Sequence, residues 1–255
     1  MKILVLLSAG RHFASGAPRP VPVELQAIAL GRALVDDQGG SVSGLHAGRV
    51  DPSVADALGH GLDDITVLCI GAEDDPLPAL AAEIMACAPD LVLAGRRGLG
   101  GSDSGLLPYR LARSCARPIA ADAVSIAPQG ERIGVVQFLP GGRRRRVELK
   151  IPAVVTVHEA APPARNFVYR ARLAGTIEEK PGAGAPAAWM AIEARPYRAR
   201  PRLIGEGGMG GSAEERLRAA TETRSVGGRL MVHPEADAAA AAILDCVAGF
   251  RPASR

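Results

Sequence analysis

The stretch that decides the fold reads Leu91-Val-Leu-Ala-Gly-Arg-Arg-Gly-Leu-Gly-Gly-Ser-Asp-Ser-Gly105. Its beginning, residues 91–94, is a continuous apolar run, which is typical of a strand buried on both faces of a parallel sheet. A glycine-rich loop follows at once, and the residues from Ser104 to Cys115 are predicted to form a helix. A strand, a loop and a helix in this order are the unit from which doubly wound sheets are built.

Three further units of this kind precede residue 91. Apolar runs predict strands at 2–8, 41–46 and 65–70. Helical spacing and prolines suited to a first helical turn predict helices at 23–35, 52–58 and 77–88. Alternating units predict a Rossmann-like α/β protein with a doubly wound, mainly parallel sheet. Ligands of such sheets bind beyond the carboxyl ends of the strands, which here lead into the loops 8–21, 47–52, 71–76 and 95–104.

The pattern changes after residue 118. Predicted strands at 119–126, 133–139, 147–151 and 154–158 indicate an antiparallel extension of the sheet. The stretch 159–229 is rich in Pro, Gly, Ala and Arg and lacks periodicity apart from a helix near 213–223, so we expect it to pack on something else. A final alanine-rich helix is predicted at 235–247. The expected organisation is a body (1–160), an extended arm that packs on a partner subunit (161–232) and a C-terminal helix (233–255).

Composition excludes several classes of protein. Of 255 residues 47% are hydrophobic and 22% are charged, which excludes disorder throughout. A net charge of +3 does not by itself indicate nucleic acid, and no apolar run reaches the ~18 residues of a membrane span. The 4 cysteines form neither a CxxC pair nor a cluster with histidine, which predicts reduced thiols, no metal and a cytoplasmic location. No catalytic motif is present, so we predict no catalytic residues.

The glycine-rich loop is the candidate binding site. Glycines let the backbone approach a phosphate, and the following helix start offers N–H donors and the positive end of its dipole. Arg96 and Arg97 would add charge, Ser102 and Ser104 would donate hydroxyls, and Asp103 or Ser104 would cap the helix. The alternative is a flexible connecting loop with an ordinary cap. Similarly, the run Arg143 to Arg146 is either a solvated hairpin end or a patch for phosphate or an acidic partner.

Two other functions compete with a partner-bound subunit. The segment from Gly100 to Ser104 resembles the SGGxDS loop of ATP-dependent adenylating enzymes, although it follows the fourth strand and has Leu99 in place of the leading serine. A stand-alone adenine-nucleotide-binding module of the universal stress type would share the same sheet. Neither of these proteins needs an arm of about 70 residues that packs on a partner.

Three segments together resemble the β subunit of electron transfer flavoproteins. They are Pro89-Asp-Leu-Val-Leu-Ala-Gly95, Glu148-Leu-Lys-Ile-Pro-Ala-Val-Val-Thr-Val157 and Pro162-Pro-Ala-Arg165. The second is the most specific match, because it follows the family's L-x-L-K-L-P-A-V-V-T run. The resemblance implies a non-enzymatic subunit that pairs with an FAD-carrying α subunit. Such a heterodimer takes electrons from dehydrogenases and passes them to a quinone oxidoreductase of the respiratory chain.

The resemblance also implies site residues and cofactors. The α subunit would hold most of the FAD, with Phe13 beside the flavin ring, while AMP or a second FAD would occupy the pocket of this chain. The arm would bind partners through Arg165 and Tyr169. The implied cofactor-binding residues are Leu6, Phe13, Pro22, Glu24, Ala47, Gly48, Gly95, Arg96, Gly100, Gly101, Ser102, Asp103, Ser104, Gly105 and Leu106.

This sequence departs from the family's pattern in the phosphate loop. The family's Asn-Gln-Thr phosphate contacts fall on Ser104 or Gly105, on Leu106 and on Leu107, with one residue inserted. Moreover, the connection after the first strand is much shorter than usual, and the family's leucine anchor on the arm is replaced near Tyr169.

Overall fold

The computed structural model describes residues 1–98, 103–186, 212–214, 231–232 and 234–249. The chain divides into two compact units, residues 1–193 and 194–255. In the second unit the described helix is α6 (Ala236–Gly249), which agrees with the helix predicted at 235–247. The helix predicted near 213–223 lies largely outside the described residues, as do the predicted site residues Gly100, Gly101 and Ser102.

The first unit holds the strands β1 (Lys2–Leu7), β2 (Ser41–Ala47), β3 (Asp64–Cys69), β4 (Asp74–Asp75), β5 (Leu91–Gly95), β6 (Ile119–Gln129), β7 (Arg132–Phe138), β8 (Arg144–Lys150), β9 (Ala153–Val157), β10 (Thr176–Pro181) and β11 (Ala185–Pro186). Its helices are α1 (Pro22–Gln38), α2 (Pro52–Ala55), a 3₁₀ helix (Asp56–His60), α3 (Leu77–Cys87), α4 (Leu107–Ser114) and α5 (Tyr169–Ala174). A 3₁₀ turn also spans Pro140–Gly142.

The described strands form one large sheet in the order β10-β3-β2-β1-β5-β9-β6-β7-β8. Strands from β10 to β6 pair in parallel, whereas β6, β7 and β8 pair antiparallel. The predicted fold class, a doubly wound and mainly parallel sheet with an antiparallel extension, is therefore confirmed. The central strands β5 and β9 are buried at every position, as expected for strands covered on both faces.

Helices cover both faces of the parallel part of the sheet. On one face α1 packs through Ala27, Ile28 and Leu34 against the core that contains Ile3 and Val5. On the other face α3 and α4 bury Ile84 and Leu111 in a second core. Helix α1 begins at Pro22, whose missing N–H costs nothing in a first turn, and ends at Gly39, whose φ of 73° suits glycine.

The structure corrects the placement of one predicted strand. The run at 154–158 does not belong to the antiparallel extension, because β9 lies between β5 and β6 and is parallel to both. Its five residues are all buried, so it carries the apolar pattern of an interior parallel strand. The strand predicted at 147–151 also begins earlier, at Arg144, so the arginine run forms the first part of β8.

The predicted cap of the fourth helix is wrong as well. Helix α4 begins at Leu107, and its N-cap position is Leu106, which provides no side-chain cap. Asp103 has a φ of 48°, so it lies in a left-handed turn before the helix. The Ser104 hydroxyl accepts a hydrogen bond from the Leu106 N–H (3.3 Å), which closes a local turn instead of capping the helix.

Part of the segment expected to pack elsewhere folds back on the body. Residues 176–181 form β10 beside β3, and β11 pairs with β4. Helix α5 packs on the 3₁₀ helix, where the Val168 N–H donates to the Gly59 carbonyl (2.8 Å). The expectation that the stretch 159–229 packs on something else therefore does not hold for residues 168–186, which contact the body.

Candidate functional site

The predicted pocket residues on β1 and β2 differ in their surroundings. Leu6 is buried in the core between the sheet and the helices α3 and α4, so its side chain contributes to packing beneath the carboxyl edge of the sheet. Ala47 ends β2, and Gly48 follows with a φ of 148°. A Cβ atom at Gly48 would lie 2.8 Å from Nε2 of His46, whose Nδ1 is 3.0 Å from the Leu7 carbonyl oxygen. The end of β2 therefore requires glycine at this position.

Glu24 is a buried acid in the first turn of α1. Only 5% of the residue is exposed, and its carboxylate accepts hydrogen bonds from the Ser8 N–H (2.9 Å) and the Ser8 hydroxyl (2.6 Å). Burial raises the pKa of Glu24 to about 8, although the two hydrogen bonds from Ser8 oppose that shift. A polar pair thus joins the carboxyl end of β1 to the start of α1.

Gly95 brings the glycine-rich loop against the same helix start. A Cβ atom at Gly95 would lie 2.7 Å from Val23 Cγ1 and 3.1 Å from the Arg97 carbonyl oxygen. Glycine is therefore required here for the close approach of strand and helix, in addition to any role in ligand binding. Val23 and Glu24 are the α1 residues nearest this glycine, so the start of α1 and the end of β5 meet at this edge of the sheet.

Both arginines of the loop are paired with acids. Arg96 Nε lies 3.3 Å from Asp122 Oδ1, and Arg97 Nη2 lies 3.1 Å from Asp103 Oδ2. Arg97 Nε also donates to the Asp103 carbonyl oxygen (3.2 Å). Gly105 turns the chain with a φ of 69°, and a Cβ atom there would lie 2.9 Å from the Arg96 carbonyl oxygen. The loop ends are therefore held together by their own charges and backbone.

The described part of this loop does not fit a nucleotide phosphate. Its positive charges face Asp122 and Asp103, and the Oδ1 atom of Asp103 is buried without a hydrogen-bond partner. The first turn of α4 carries apolar Leu106 and Leu107 where a phosphate would need donors, and Pro108 contributes no N–H. An anion would therefore meet two arginines that are already neutralised by carboxylates, in place of free positive charge.

The loop after β1 presents an exposed aromatic side chain. Phe13 is 95% exposed, and its ring stacks on His12 with a centroid distance of 5.1 Å. Arg11 fixes the base of the loop, because its guanidinium forms two bonds to Asp51 (3.0 and 2.5 Å). This ion pair, together with hydrogen bonds from Ser53, holds the pKa of Asp51 well below its usual range. A large apolar ring that is held in water by an ordered loop is typical of an interaction surface.

The two predicted partner-binding residues lie near each other at the other end of the sheet. Arg165 pairs with Asp36 of α1, and its carbonyl oxygen lies 2.7 Å from Nδ1 of His60. Tyr169 begins α5 and is 67% exposed, and Leu173, one turn later, is 66% exposed. With Phe167 and Val168, which are also exposed, these two residues form an apolar patch, here named the α5 patch.

Several residues of the candidate site were not predicted from the sequence. Asp51, Asp122 and Leu173 carry no local signal, because their partners or neighbours are brought to them only by the fold. Buried Asp75 is a similar case, since Arg110 of α4 reaches it with a contact of 2.6 Å. Ser8 could have been found, because it is the first polar residue after the apolar run of β1.

The described residues form neither a cluster of metal-ligating side chains nor a membrane-spanning helix. In the part of the chain that the structure describes, no three His, Cys, Asp or Glu side chains are grouped as metal ligands. Over the same residues, no helix is both long and apolar enough to cross a membrane.

The chain combines a doubly wound sheet with an exposed aromatic side chain, Phe13, in a loop at the carboxyl edge of the sheet. It also carries an apolar patch on a short helix. These features define a nucleotide-binding-type α/β protein built for association. The family model described as "Electron transfer flavoprotein domain" matches residues 15–187. The electron transfer flavoprotein subunit beta of Chromohalobacter salexigens is 32% identical over 254 residues, covering 96% of this chain and 92% of that protein. The chain belongs to the electron transfer flavoprotein β-subunit family.

Proposed function

We propose that this chain shapes the FAD site of an electron transfer flavoprotein α subunit and docks the dehydrogenases that reduce it. Electrons then pass to a quinone oxidoreductase of the respiratory chain. The exposed Phe13 on its ordered loop is the observation that carries this proposal, because it supplies an aromatic contact that only a partner can cover. The free state of the 4 cysteines agrees with a reducing compartment, which supports a cytoplasmic location.

The residues of this chain bind the partner subunit and position the flavin, and they take no part in a chemical reaction. When bound, FAD supplies the electron-transfer chemistry, and the protein's part is to hold the flavin and control its surroundings. The Arg11–Asp51 ion pair fixes the loop, and the stacked His12 ring supports the side chain of Phe13 from one side. Phe13 is thereby ordered before association, which lowers the entropy cost of burying it.

Phe13→Ala is expected to weaken association with the α subunit by about tenfold to a hundredfold, because burial of a phenylalanine side chain contributes roughly 1.5–3 kcal/mol. The visible absorption bands of the flavin should also shift, because the ring loses its aromatic neighbour. Titration of the α subunit under a flavin absorbance readout measures both effects. Met85→Ala is the matched control, since Met85 is 61% exposed on α3, away from this loop. Equal affinity and an identical spectrum for Phe13→Ala would contradict the assignment.

The pocket of this chain is the second part of the proposal. The family resemblance implies AMP or a second FAD there, and both ligands need phosphate contacts. The loop instead places Asp103 and Leu106 at the start of α4 and pairs Arg96 with Asp122. We therefore derive no role for a nucleotide in this pocket and place the cofactor in the α subunit.

Acid-released nucleotides from the purified heterodimer should accordingly contain FAD but no equimolar AMP. The physical reason is that Arg96 and Arg97 are already paired with Asp122 and Asp103, so the described part of the loop gives a phosphate no uncompensated positive charge. Chromatography of the extract measures both nucleotides at once, and the FAD peak serves as the internal control. AMP that survives gel filtration in a one-to-one ratio to protein would refute this expectation.

Dehydrogenase docking is assigned to the α5 patch. The patch combines an exposed aromatic residue with exposed aliphatic ones, which is the composition of energetically dominant interface residues. The patch is held on the 3₁₀ helix (Asp56–His60), because the Phe167 ring covers Gly59 and Arg172 Nε pairs with Asp56 Oδ1 at 3.3 Å. Tyr169 is therefore presented on a short helix that the body of the protein supports.

A further inference from the structure

Strand β8 carries a dense group of basic side chains that the proposed function does not use. Four consecutive arginines, residues 143–146, are all exposed. The register with β7 places Lys150 opposite Arg132, so further positive charge lies at the other end of the same strand pair. The name "basic edge" is used below for Arg132, Arg143, Arg144, Arg145, Arg146 and Lys150.

The basic edge lies at the border of the sheet. Strand β8 pairs with β7 along its whole length, and no strand among the described residues lies beyond it. A border strand presents a row of unpaired backbone N–H and C=O groups, which match the backbone of another extended segment. Side chains alternate along β8, so Arg144, Arg146 and Lys150 share one face of the strand with a single acid, Glu148.

The charges of the basic edge lack acidic partners. Elsewhere in the described chain, arginines form ion pairs with aspartates at Arg11, Arg32, Arg96, Arg97, Arg110, Arg165 and Arg172. No ion pair of the described residues involves the basic edge, whose members contact neutral groups, such as the Pro140 carbonyl oxygen for Arg143. Their mutual repulsion therefore favours an anionic partner.

One of these arginines is oriented from within the sheet. The Oε1 atom of Gln137, a buried residue of β7, accepts hydrogen bonds from Nε and Nη2 of Arg145 (3.0 and 2.8 Å). The Gln137 amide in turn donates to the Ala121 carbonyl oxygen (2.7 Å). A buried polar chain thus holds this guanidinium in place, which a merely solvated charge would not need.

The position and chemistry of the edge select its partner. A second copy would bring two arginine-rich strands together and is disfavoured by repulsion. Phosphate polymers and anionic membranes would use the charges but not the backbone row of β8, whereas a polypeptide strand uses both. The dehydrogenase is assigned to the α5 patch, whose helix packs on the 3₁₀ helix (Asp56–His60), so its docking does not use the backbone row of β8.

We propose that an extended acidic segment of the FAD-carrying α subunit adds as a strand beside β8 and pairs its carboxylates with the basic edge. This inference rests on the proposed heterodimer. It assigns the arginine run a part in assembly that is separate from both Phe13 and the α5 patch.

The test compares Arg144→Glu and Arg146→Glu with Arg113→Glu, which reverses an exposed arginine of α4. Each change at the edge should raise the dissociation constant of the heterodimer by about tenfold and flatten its dependence on salt, while Arg113→Glu should leave both unchanged. Hydrogen exchange gives a second readout. The β8 amides that face away from β7 should exchange rapidly in the isolated chain and slowly in the heterodimer.

Three results would overturn the inference. They are unchanged affinity of the edge variants, β8 amides that are already protected in the isolated chain, and protection by DNA or by anionic vesicles but not by the α subunit. Failure of the proposed function is distinguishable, because then the wild-type chain itself would form no flavin-containing heterodimer. If the wild type and the edge variants form the same yellow heterodimer, only the inference on β8 fails.

Discussion

Replacing Tyr169 and Leu173 together by alanine is expected to slow reduction of the flavin by its donor dehydrogenase by about tenfold to a hundredfold. The two side chains lie one turn apart on α5, so they face the same way and would enter one partner pocket together. Loss of a dominant interface side chain costs about 1–2 kcal/mol, and every 1.4 kcal/mol is a factor of ten. Stopped-flow reduction of the heterodimer measures the effect.

Controls separate docking from damage to the flavin site. Chemical reduction and flavin content should be unchanged in the double variant, because the contacts that fix the Phe13 loop, Arg11 with Asp51 and His12 with Phe13, do not involve α5. Met85→Ala again provides an exposed apolar truncation elsewhere. Wild-type kinetics in the double variant would refute the role of the α5 patch, and loss of flavin would indicate that the patch supports the cofactor site instead.

The second large effect concerns Glu24. Its pKa of about 8 in the folded chain exceeds the ordinary value of 4.5, so between these limits the folded chain keeps a proton that the unfolded chain releases. The free energy of unfolding should therefore fall as pH rises, by about 1.4 kcal/mol per pH unit and at most about 5 kcal/mol in all. Above pH 8 both states are ionised, and the decline from this group should end.

Glu24→Gln tests this dependence. Glutamine keeps the shape of the side chain, and its oxygen still accepts from the Ser8 N–H, so the variant should fold and lose the decline between pH 5 and 8. Denaturant unfolding at several pH values gives the comparison, with Glu131→Gln as the exposed control. Parallel stability curves for the wild type and Glu24→Gln would show that Glu24 is already ionised in the folded chain.

The parallel part of the fold was predictable because its signals are local. Each buried strand is a continuous apolar run, and each helix shows periodicity or a proline at its start, as in α1 at Pro22. The place of β9 was not predictable in the same way, because whether an apolar run joins a parallel or an antiparallel neighbour depends on the whole sheet. The return of β10 to the border beside β3 is likewise a long-range contact with no signal in residues 176–181.

The same difference between local and long-range signals applies to the candidate site. Glycines at 48 and 95 were predictable, since the sequence places them after predicted strands, where the backbone turns or approaches closely. Gly105 was not, because it fell inside the helix predicted at 104–115, whereas α4 begins only at Leu107. The ion pairs were not predictable, because Arg11 contacts Asp51, and Arg96 contacts Asp122, only after the sheet has formed. These pairs change the interpretation of the described ends of the loop, because Arg96 and Arg97 are paired with carboxylates instead of being free for a phosphate.

The central claim is that this chain works as one half of a flavin-carrying heterodimer. Its most direct test is co-expression with the α subunit of the same organism, followed by gel filtration with absorbance recorded at the flavin bands. We expect a yellow heterodimer with FAD in equimolar amount that accepts electrons from a dehydrogenase. A colourless, stable monomer that hydrolyses ATP would contradict it.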